Sequence, residues 1–293
     1  MGGITDFITG EELADRLEPL VARAGELKSG RPWAGSDALA GRSVAMLFEQ
    51  PSTRTRVSFE VGIAEMGGAA VVLRSDELQL SRGESIADVG RVLSRYLHAI
   101  VYRSGSHSRV EELAAAAAVP VVNALTPEHH PCQTLADLQT LRERFGTLDG
   151  LRVAFVGDGN NVARSLALLG RDVGVEVVVS SPPGLELEPG TGAELIADPA
   201  EAVAGADAIY TDVWISMGEP DAAAKREALA PYRVDAGLLA KASDRAIVLH
   251  CLPAHPGEEI AADVLYGERS AVFDQAENRL HAQKALLELL VPK

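Results

Sequence analysis

Short apolar runs alternate with longer amphipathic stretches along the chain. The runs Ser43 to Phe48, Ala69 to Leu73, Ala99 to Tyr102 and Val121 to Asn123 are rich in Val, Ile and Ala and have the length of buried strands. Between and after them, Thr53 to Met66, Ile86 to Tyr96, Arg109 to Ala118 and Cys132 to Arg144 read as helices. In the first of these, Phe59, Ile63 and Met66 recur at helical spacing. A helix also opens the chain, where Thr9-Gly10-Glu11-Glu12 has the form of a capping box, and it is predicted to run to about Lys28. After a break at Phe145 to Gly150 the alternation restarts, with strands expected at Arg152 to Val156, Glu176 to Val179, Ala208 to Thr211, Ala246 to His250 and Ala271 to Phe273. Ser180 to Gly192 is dense in Pro and Gly and reads as a surface loop. A last helix is predicted from Asn278 to Leu290. Strand, helix, strand in regular alternation means α/β architecture, a parallel sheet covered by helices on both faces, here built twice.

Composition narrows the function classes. The 293 residues amount to two domains at about 150 residues each. Lys and Arg number 27 against 42 Asp and Glu, a net charge of −15 spread along the chain, which leaves no basic face for nucleic acid. No run approaches the roughly 18 apolar residues of a membrane span, and Met1 to Gly10 lacks the basic and apolar regions of a signal peptide. Two cysteines, Cys132 and Cys251, make no disulfide framework and fit a reducing compartment. A cytoplasmic protein is expected.

Chemistry-bearing residues collect where strands end. Pro51-Ser52-Thr53-Arg54-Thr55-Arg56 follows the first strand and opens a helix. Free N–H groups, the helix dipole, hydroxyls and a guanidinium converge there, as a phosphate site requires, although a Ser-capped helix with surface arginines has the same pattern. In Thr126-Pro127-Glu128-His129-His130-Pro131-Cys132-Gln133, His130 offers a donor to a carbonyl oxygen and Gln133 an amide donor and acceptor; His129 reads as structural. Gly157-Asp158-Gly159-Asn160-Asn161 invites a dinucleotide reading, but Val162 replaces the third glycine and no acidic residue ends the next strand. The asparagines suit a polar ligand such as an amino-acid head group. Asp212 stands four residues before Ser216 at a strand end, placed to face an ammonium group. His250, Cys251 and His255 have a loose zinc-like spacing, yet a Pro-containing turn and no second cysteine pair oppose a metal site.

The ordered set STRTR, HPCQ, DxxxSMG, HCLP and ENR resembles the aspartate/ornithine carbamoyltransferase family over essentially the whole chain, and the Asp212 to Gly218 and His250 to Pro253 segments carry its ornithine-type signature. The resemblance implies two doubly wound parallel-sheet domains with the active site in the cleft between them. A carbamoyl-phosphate-binding domain would span residues 1–144, with the C-terminal helix 280–293 packed back on it, and an ornithine-binding domain residues 145–279. It implies that Ser52, Thr53, Arg54, Thr55, Gln79, Arg103, His130 and Gln133 bind carbamoyl phosphate, with Cys251, Leu252 and Arg279 closing over both ligands. Asn161, Asp212, Ser216 and Met217 would bind ornithine. Arg54, Arg103, His130, Thr55 and Cys251 would carry the catalysis, stabilising the leaving phosphate and the carbonyl oxygen and handling the amine proton. The implied reaction moves the carbamoyl group to the δ-amine of L-ornithine, giving L-citrulline and phosphate, with no metal or organic cofactor and with a homotrimer or multiple of trimers as the assembly. Three positions depart from the family pattern: a short Ser180 to Asp198 stretch, Ser81 in the Gln79 loop, and Pro256 after His255. Another amine acceptor such as putrescine or an N-acylornithine, a non-catalytic ligand-binding paralogue and an NAD-dependent dehydrogenase are the competing readings.

Overall fold

A computed structural model describes residues 6–31, 37–74, 77, 83–215 and 223–291. The chain divides into two compact units, the first made of residues 1–139 with 277–293 and the second of residues 140–276.

The first unit carries α1 (Leu17–Ser29), β1 (Ser43–Phe48), α2 (Thr53–Glu65), β2 (Ala69–Arg74), α3 (Ile86–Leu93), β3 (Ala99–Arg103), α4 (His107–Ala116), β4 (Val121–Leu125) and the start of α5 (Pro131–Phe145). Its sheet is wholly parallel in the order β2-β1-β3-β4. Period-two alternation sends Ala45 and Leu47 of β1, with Ile100 and Tyr102 of β3, into a core built with Ile86 and Val89 of α3 and Val110 and Leu113 of α4. Val44 and Met46, pointing to the opposite face, are also fully buried. Helices on both faces explain why these strands read as continuous apolar runs rather than alternating ones.

The second unit holds β5 (Arg152–Val156), α6 (Asn161–Asp172), β6 (Glu176–Ser180), β7 (Glu194–Leu195), α7 (Pro199–Ala202), β8 (Ala208–Thr211), α8 (Ala223–Leu229), α9 (Ala236–Leu239), β9 (Ile247–His250) and α10 (Ala262–Leu265). Its sheet is also parallel, in the order β7-β6-β5-β8-β9. Ala154, Val156, Ile209 and Val248 share a core with Tyr232, Leu238, Ile260 and Val264. In each sheet the strand order reverses beside the first strand, between β1 and β3 and between β5 and β8. Ligands of open α/β sheets bind outside the carboxyl ends of the strands at such switch points.

Three local expectations are corrected. The capping-box helix begins as a 3₁₀ turn, Glu11–Arg16, before α1. Glu12 does reach back, accepting the N–H of Thr9 at 3.0 Å and of Gly10 at 2.7 Å, but Gly10 is the cap residue and Thr9 Oγ1 accepts only the Glu11 N–H. The run Ala271 to Phe273 is not a strand. Ser270 makes a single parallel bridge to Val248, and α11 (Val272–Leu290) starts at once, with Asp274 in its first turn. A three-residue apolar run has no period of its own, and here the helix that follows claims it. α11 therefore begins six residues before the predicted Asn278. The Pro- and Gly-rich stretch expected as a loop from Ser180 to Gly192 is without strand or helix from Ser181 onward, while Ser180 itself ends β6. No helix among the described residues is long and apolar enough to cross a membrane.

Candidate active site

In the first unit the β1–α2 corner places Ser52 at the N-cap of α2 in extended backbone, its side chain making no capping bond. Thr53 and Arg54 on the first turn are exposed, whereas Thr55 is buried. A cavity of about 660 Å³ opens beside the corner, with Phe48, Pro51, Ser52, Thr53, Val72 and Arg74 in its wall. On the buried side, Arg279 of α11 donates to Gln133 Oε1 at 2.8 Å and to Thr55 Oγ1 at 3.4 Å. The Gln283 amide, turned so that its oxygen faces Arg279, accepts from the guanidinium at 3.0 and 3.1 Å and donates to Ser58 Oγ at 2.7 Å. Gln133 in turn donates to Asp137 Oδ1 at 2.8 Å. One guanidinium thus joins three helices around the sheet end.

His130 is buried, and burial together with the charges of Arg279, Arg103 and Arg54 holds its pKa well below the usual histidine range. The ring is therefore neutral near pH 7, a hydrogen-bonding group inside a field of three cations. Arg103 ends β3 and is itself buried. His129 plays the structural part expected of it: its N–H donates to Thr126 Oγ1 at 3.1 Å and its ring lies 4.9 Å from that of His107.

A carboxylate absent from the sequence reading organises this strand end. Glu49, the first residue after β1, donates its N–H to Arg103 O at 3.0 Å. Its side chain accepts from Tyr102 OH at 2.6 Å, Ser104 Oγ at 2.9 Å, the Gly105 N–H at 2.8 Å and Arg109 at 2.8 Å. Burial pushes the Glu49 pKa up, but these donors outweigh it and hold it below the ordinary carboxylate value. The only sequence signal was an acidic residue directly after an apolar strand.

In the second unit, β5 runs into the glycine turn and α6. Asn160 caps α6, its Oδ1 accepting from the Val162 N–H at 3.0 Å and the Ala163 N–H at 3.2 Å, while Nδ2 donates to Asp212 Oδ2 at 3.0 Å. Asn161, the expected ligand residue, is the half-buried first residue of α6. Asp212 follows β8 and is buried. Burial raises its pKa, with the His250 ring, the Val213 N–H and Asn160 pulling the other way. Gly159 answers to packing: a Cβ there would overlap the backbone of Glu186 and Leu187, and its N–H donates to Leu185 O at 2.8 Å. The space a dinucleotide would approach is filled by the chain's own loop.

Beyond β9, Leu252 adopts a left-handed backbone, φ 59°, which costs a non-glycine residue about 1–2 kcal/mol. Its N–H donates to His250 Nδ1 at 2.8 Å, so the His250 proton sits on Nε2 and is directed to Glu259 Oε1 at 3.2 Å. Cys251 between them is partly exposed. His255, Glu258 and Glu259 bring one potential metal-ligand atom each within 4.8 Å of one another. Glu259 accepts from His250 and from the His255 N–H, and Glu258 pairs with Arg226, so both carboxylates have protein partners, one of them an ion pair. Gln79, Ser216 and Met217 lie outside the described residues.

Comparison with known proteins matches residues 5–143 to the carbamoyl-P binding domain of aspartate/ornithine carbamoyltransferases and residues 149–290 to their Asp/Orn binding domain. An ornithine carbamoyltransferase of Acidothermus cellulolyticus is 53% identical over 303 residues, covering 98% of this chain and 97% of that protein. One of Symbiobacterium thermophilum is 51% identical, covering 96% and 94%. Among solved structures, the ornithine carbamoyltransferase from Pyrococcus furiosus superposes with a TM-score of 0.93 at 45% identity, covering 99% of this chain and 97% of that one.

Proposed function

The chain belongs to the aspartate/ornithine carbamoyltransferase family, and from this membership and the geometry above we propose that it transfers the carbamoyl group of carbamoyl phosphate to the δ-amine of L-ornithine, yielding L-citrulline and phosphate. The observation that carries the reading is the buried set Thr55, Arg279 and Gln133, joined by the hydrogen bonds of Arg279 beside the N-terminus of α2, with a buried, neutral His130 in the field of Arg279, Arg103 and Arg54.

Carbamoyl phosphate is a mixed anhydride whose leaving group departs as a phosphate anion. Ser52, Thr53, Arg54 and Thr55, with the free N–H groups of α2 and with Arg103, neutralise that charge. As the amine attacks, the carbamoyl oxygen gains negative charge, and Thr55, Arg103 and His130 donate to it. A neutral His130 suits this role, since it donates a hydrogen bond without needing to lose a proton. Gln133 Oε1, which accepts from Arg279 with one lone pair, accepts from the carbamoyl NH₂ with the other. Gln79 belongs to the same set.

On the amino-acid side, Asp212 pairs with a substrate ammonium, and Asn161, Ser216 and Met217 complete the recognition. An alkylamine is protonated at pH 7 and must lose a proton before attack. Cys251, partly exposed beside the fixed His250–Glu259 pair, handles that proton. Arginine metabolism is the proposed setting and the cytoplasm the proposed compartment, the latter resting on a composition with two cysteines and no disulfide framework.

Homotrimers, or multiples of them, are the proposed assembly. Val57 of α2, Val71 of the edge strand β2, and Val92 and Tyr96 at the end of α3 are large apolar residues left exposed on the first unit, an incentive for association. Sedimentation equilibrium giving three chain masses or a multiple supports it, and a monomer refutes it.

The deciding assay is citrulline formation by purified protein given carbamoyl phosphate and ornithine, with putrescine and N-acetylornithine in parallel and Arg54→Ala as control. Citrulline from the wild type and none from the control is expected. Activity with only another amine overturns the acceptor assignment, and silence with all three overturns the enzyme reading.

A further inference from the structure

We propose that Asn160 is a positioning residue for the amino-acid half of the reaction, a bridge that ties the carboxylate of Asp212 to the N-terminus of α6 across the switch point of the second sheet. The inference rests on the reading of Asp212 as the partner of a substrate ammonium.

β5 and β8 are neighbouring parallel strands, with Phe155 opposite Tyr210, so the segments leaving their carboxyl ends are brought side by side. Asn160 leaves one and Asp212 the other. The amide of Asn160 has only one orientation that satisfies both of its atoms. Oδ1 takes two of the N–H groups that α6 leaves unpaired, those of Val162 and Ala163, and this turns Nδ2 toward Asp212 Oδ2 at 3.0 Å. The backbone is fixed as well, because the Asn160 N–H donates to Asp158 O at 2.7 Å and the Gly159 N–H to Leu185 O.

The choice of residue is informative. Asp and Ser cap helices as well as Asn does, so the cap alone does not require Asn. Asn is the one capping side chain that accepts with one atom and donates with the other. Asp at 160 would keep the cap and set a second carboxylate oxygen against Asp212, where Ser would keep the cap and fall short of it.

The donor matters because Asp212 is buried at 9% exposure, an environment that favours the neutral acid. The groups acting on it are the His250 ring after β9, the Val213 N–H and Asn160, which favour the carboxylate, and Glu259, which opposes it. Removing the Asn160 donor leaves an acid less able to hold a charge for the substrate amine and free to rotate from its aim.

The test compares Asn160→Asp with Asn160→Ala. Asn160→Asp is expected to melt within about 2 °C of wild type, since the cap remains, while its KM for ornithine rises about tenfold or more and its KM for carbamoyl phosphate stays within twofold. The acid limb of its kcat/KM profile for ornithine is expected to move up by about one pH unit. Asn160→Ala is expected to show the same kinetic loss with a lower melting temperature. The Asp212 side-chain ¹³C titration, assigned with Asp212→Asn, reads the bridge without any turnover, and its midpoint is expected to rise in Asn160→Asp. Unchanged ornithine KM and an unchanged titration midpoint in that variant overturn the proposal. A shifted midpoint in a protein that makes no citrulline upholds the bridge and overturns the enzymatic reading instead.

Discussion

The guanidinium of Arg279 donates to the side-chain oxygen of Gln133 at 2.8 Å, joining residues 146 positions apart in the chain. The same group reaches Thr55 and Gln283, and at 5% exposure it is almost wholly enclosed. The planar fork sends separate nitrogens to these partners, Nη1 to Gln133 and Nη2 to Thr55, where a lysine would offer one compact donor centre. Arg279→Met is expected to raise the KM for carbamoyl phosphate at least tenfold, by loosening Gln133 and Thr55 together, and Arg279→Lys to recover only part of that loss. Steady-state kinetics with each substrate varied in turn checks this. A change confined to the ornithine KM would contradict it.

The neutral state of His130 has a consequence for stability against pH. Its folded pKa lies well below the ordinary histidine value of 6.5, through burial and three neighbouring arginines. In the unfolded chain the ring gains a proton near pH 6.5, so stability is complete above that pH and is lost as pH falls below it, by at most about 1.4 kcal/mol per pH unit for one site. His130→Gln is expected to flatten the slope between pH 6.5 and 5. Chemical denaturation of both proteins across that range measures it, and parallel slopes would show that the ring is protonated in the folded protein.

Much of this architecture was legible because doubly covered parallel strands are apolar throughout. Ser43–Phe48 and Arg152–Val156 have the bounds the sequence predicts. The start of α11 was not, since Ala271 to Phe273 is too short to show either period. Strand-end motifs made Arg54, His130 and Asp212 visible, and the family resemblance added Arg103. Glu49 stayed hidden, and Asn160 was visible only as a candidate for a polar ligand, for one physical reason: their partners lie 52 to 60 residues away, brought near by strand order and not by local pattern. At Gly159 the missing third glycine and the missing acidic strand end already weigh against a pyrophosphate turn in the sequence, and the backbone of Glu186 and Leu187 supplies the packing reason for the glycine.

The two cysteines are expected to react differently. Cys132 is fully buried, donates to Asn123 O at 3.4 Å, and has its thiol pKa pushed up to about 12, chiefly by burial. The thiolate is the nucleophile, so this thiol is inert in the folded protein. Cys251 is partly exposed at a strand end. Iodoacetamide at pH 8 should label Cys251 alone, and carbamoyl phosphate with norvaline, an ornithine analogue lacking the δ-amine, should slow the labelling. Peptide mapping by mass spectrometry distinguishes the sites. Labelling of Cys132 in protein that remains folded would refute the assignment.

Glu49 offers a test in which charge and shape separate. Glu49→Gln keeps the length and planarity of the side chain but replaces an acceptor of four donors with a neutral amide. One of its two atoms then faces donors it cannot accept from, either Tyr102 and Arg109 or Ser104 and Gly105. At pH 7 the cost is expected to be about 2–3 kcal/mol, the range for a hydrogen-bonded charged group losing its partners. Because the folded pKa of Glu49 lies below the unfolded value, its contribution is present above about pH 4.5 and disappears as pH falls through the folded pKa. Wild type and variant should therefore differ most near neutrality and converge in acid. Arg103 lies between two of the clamped residues, so the KM for carbamoyl phosphate should rise with the loss of stability, and the ornithine KM should not. A stability difference constant from pH 7 to pH 3 would mean that the carboxylate charge has no part in holding this strand end.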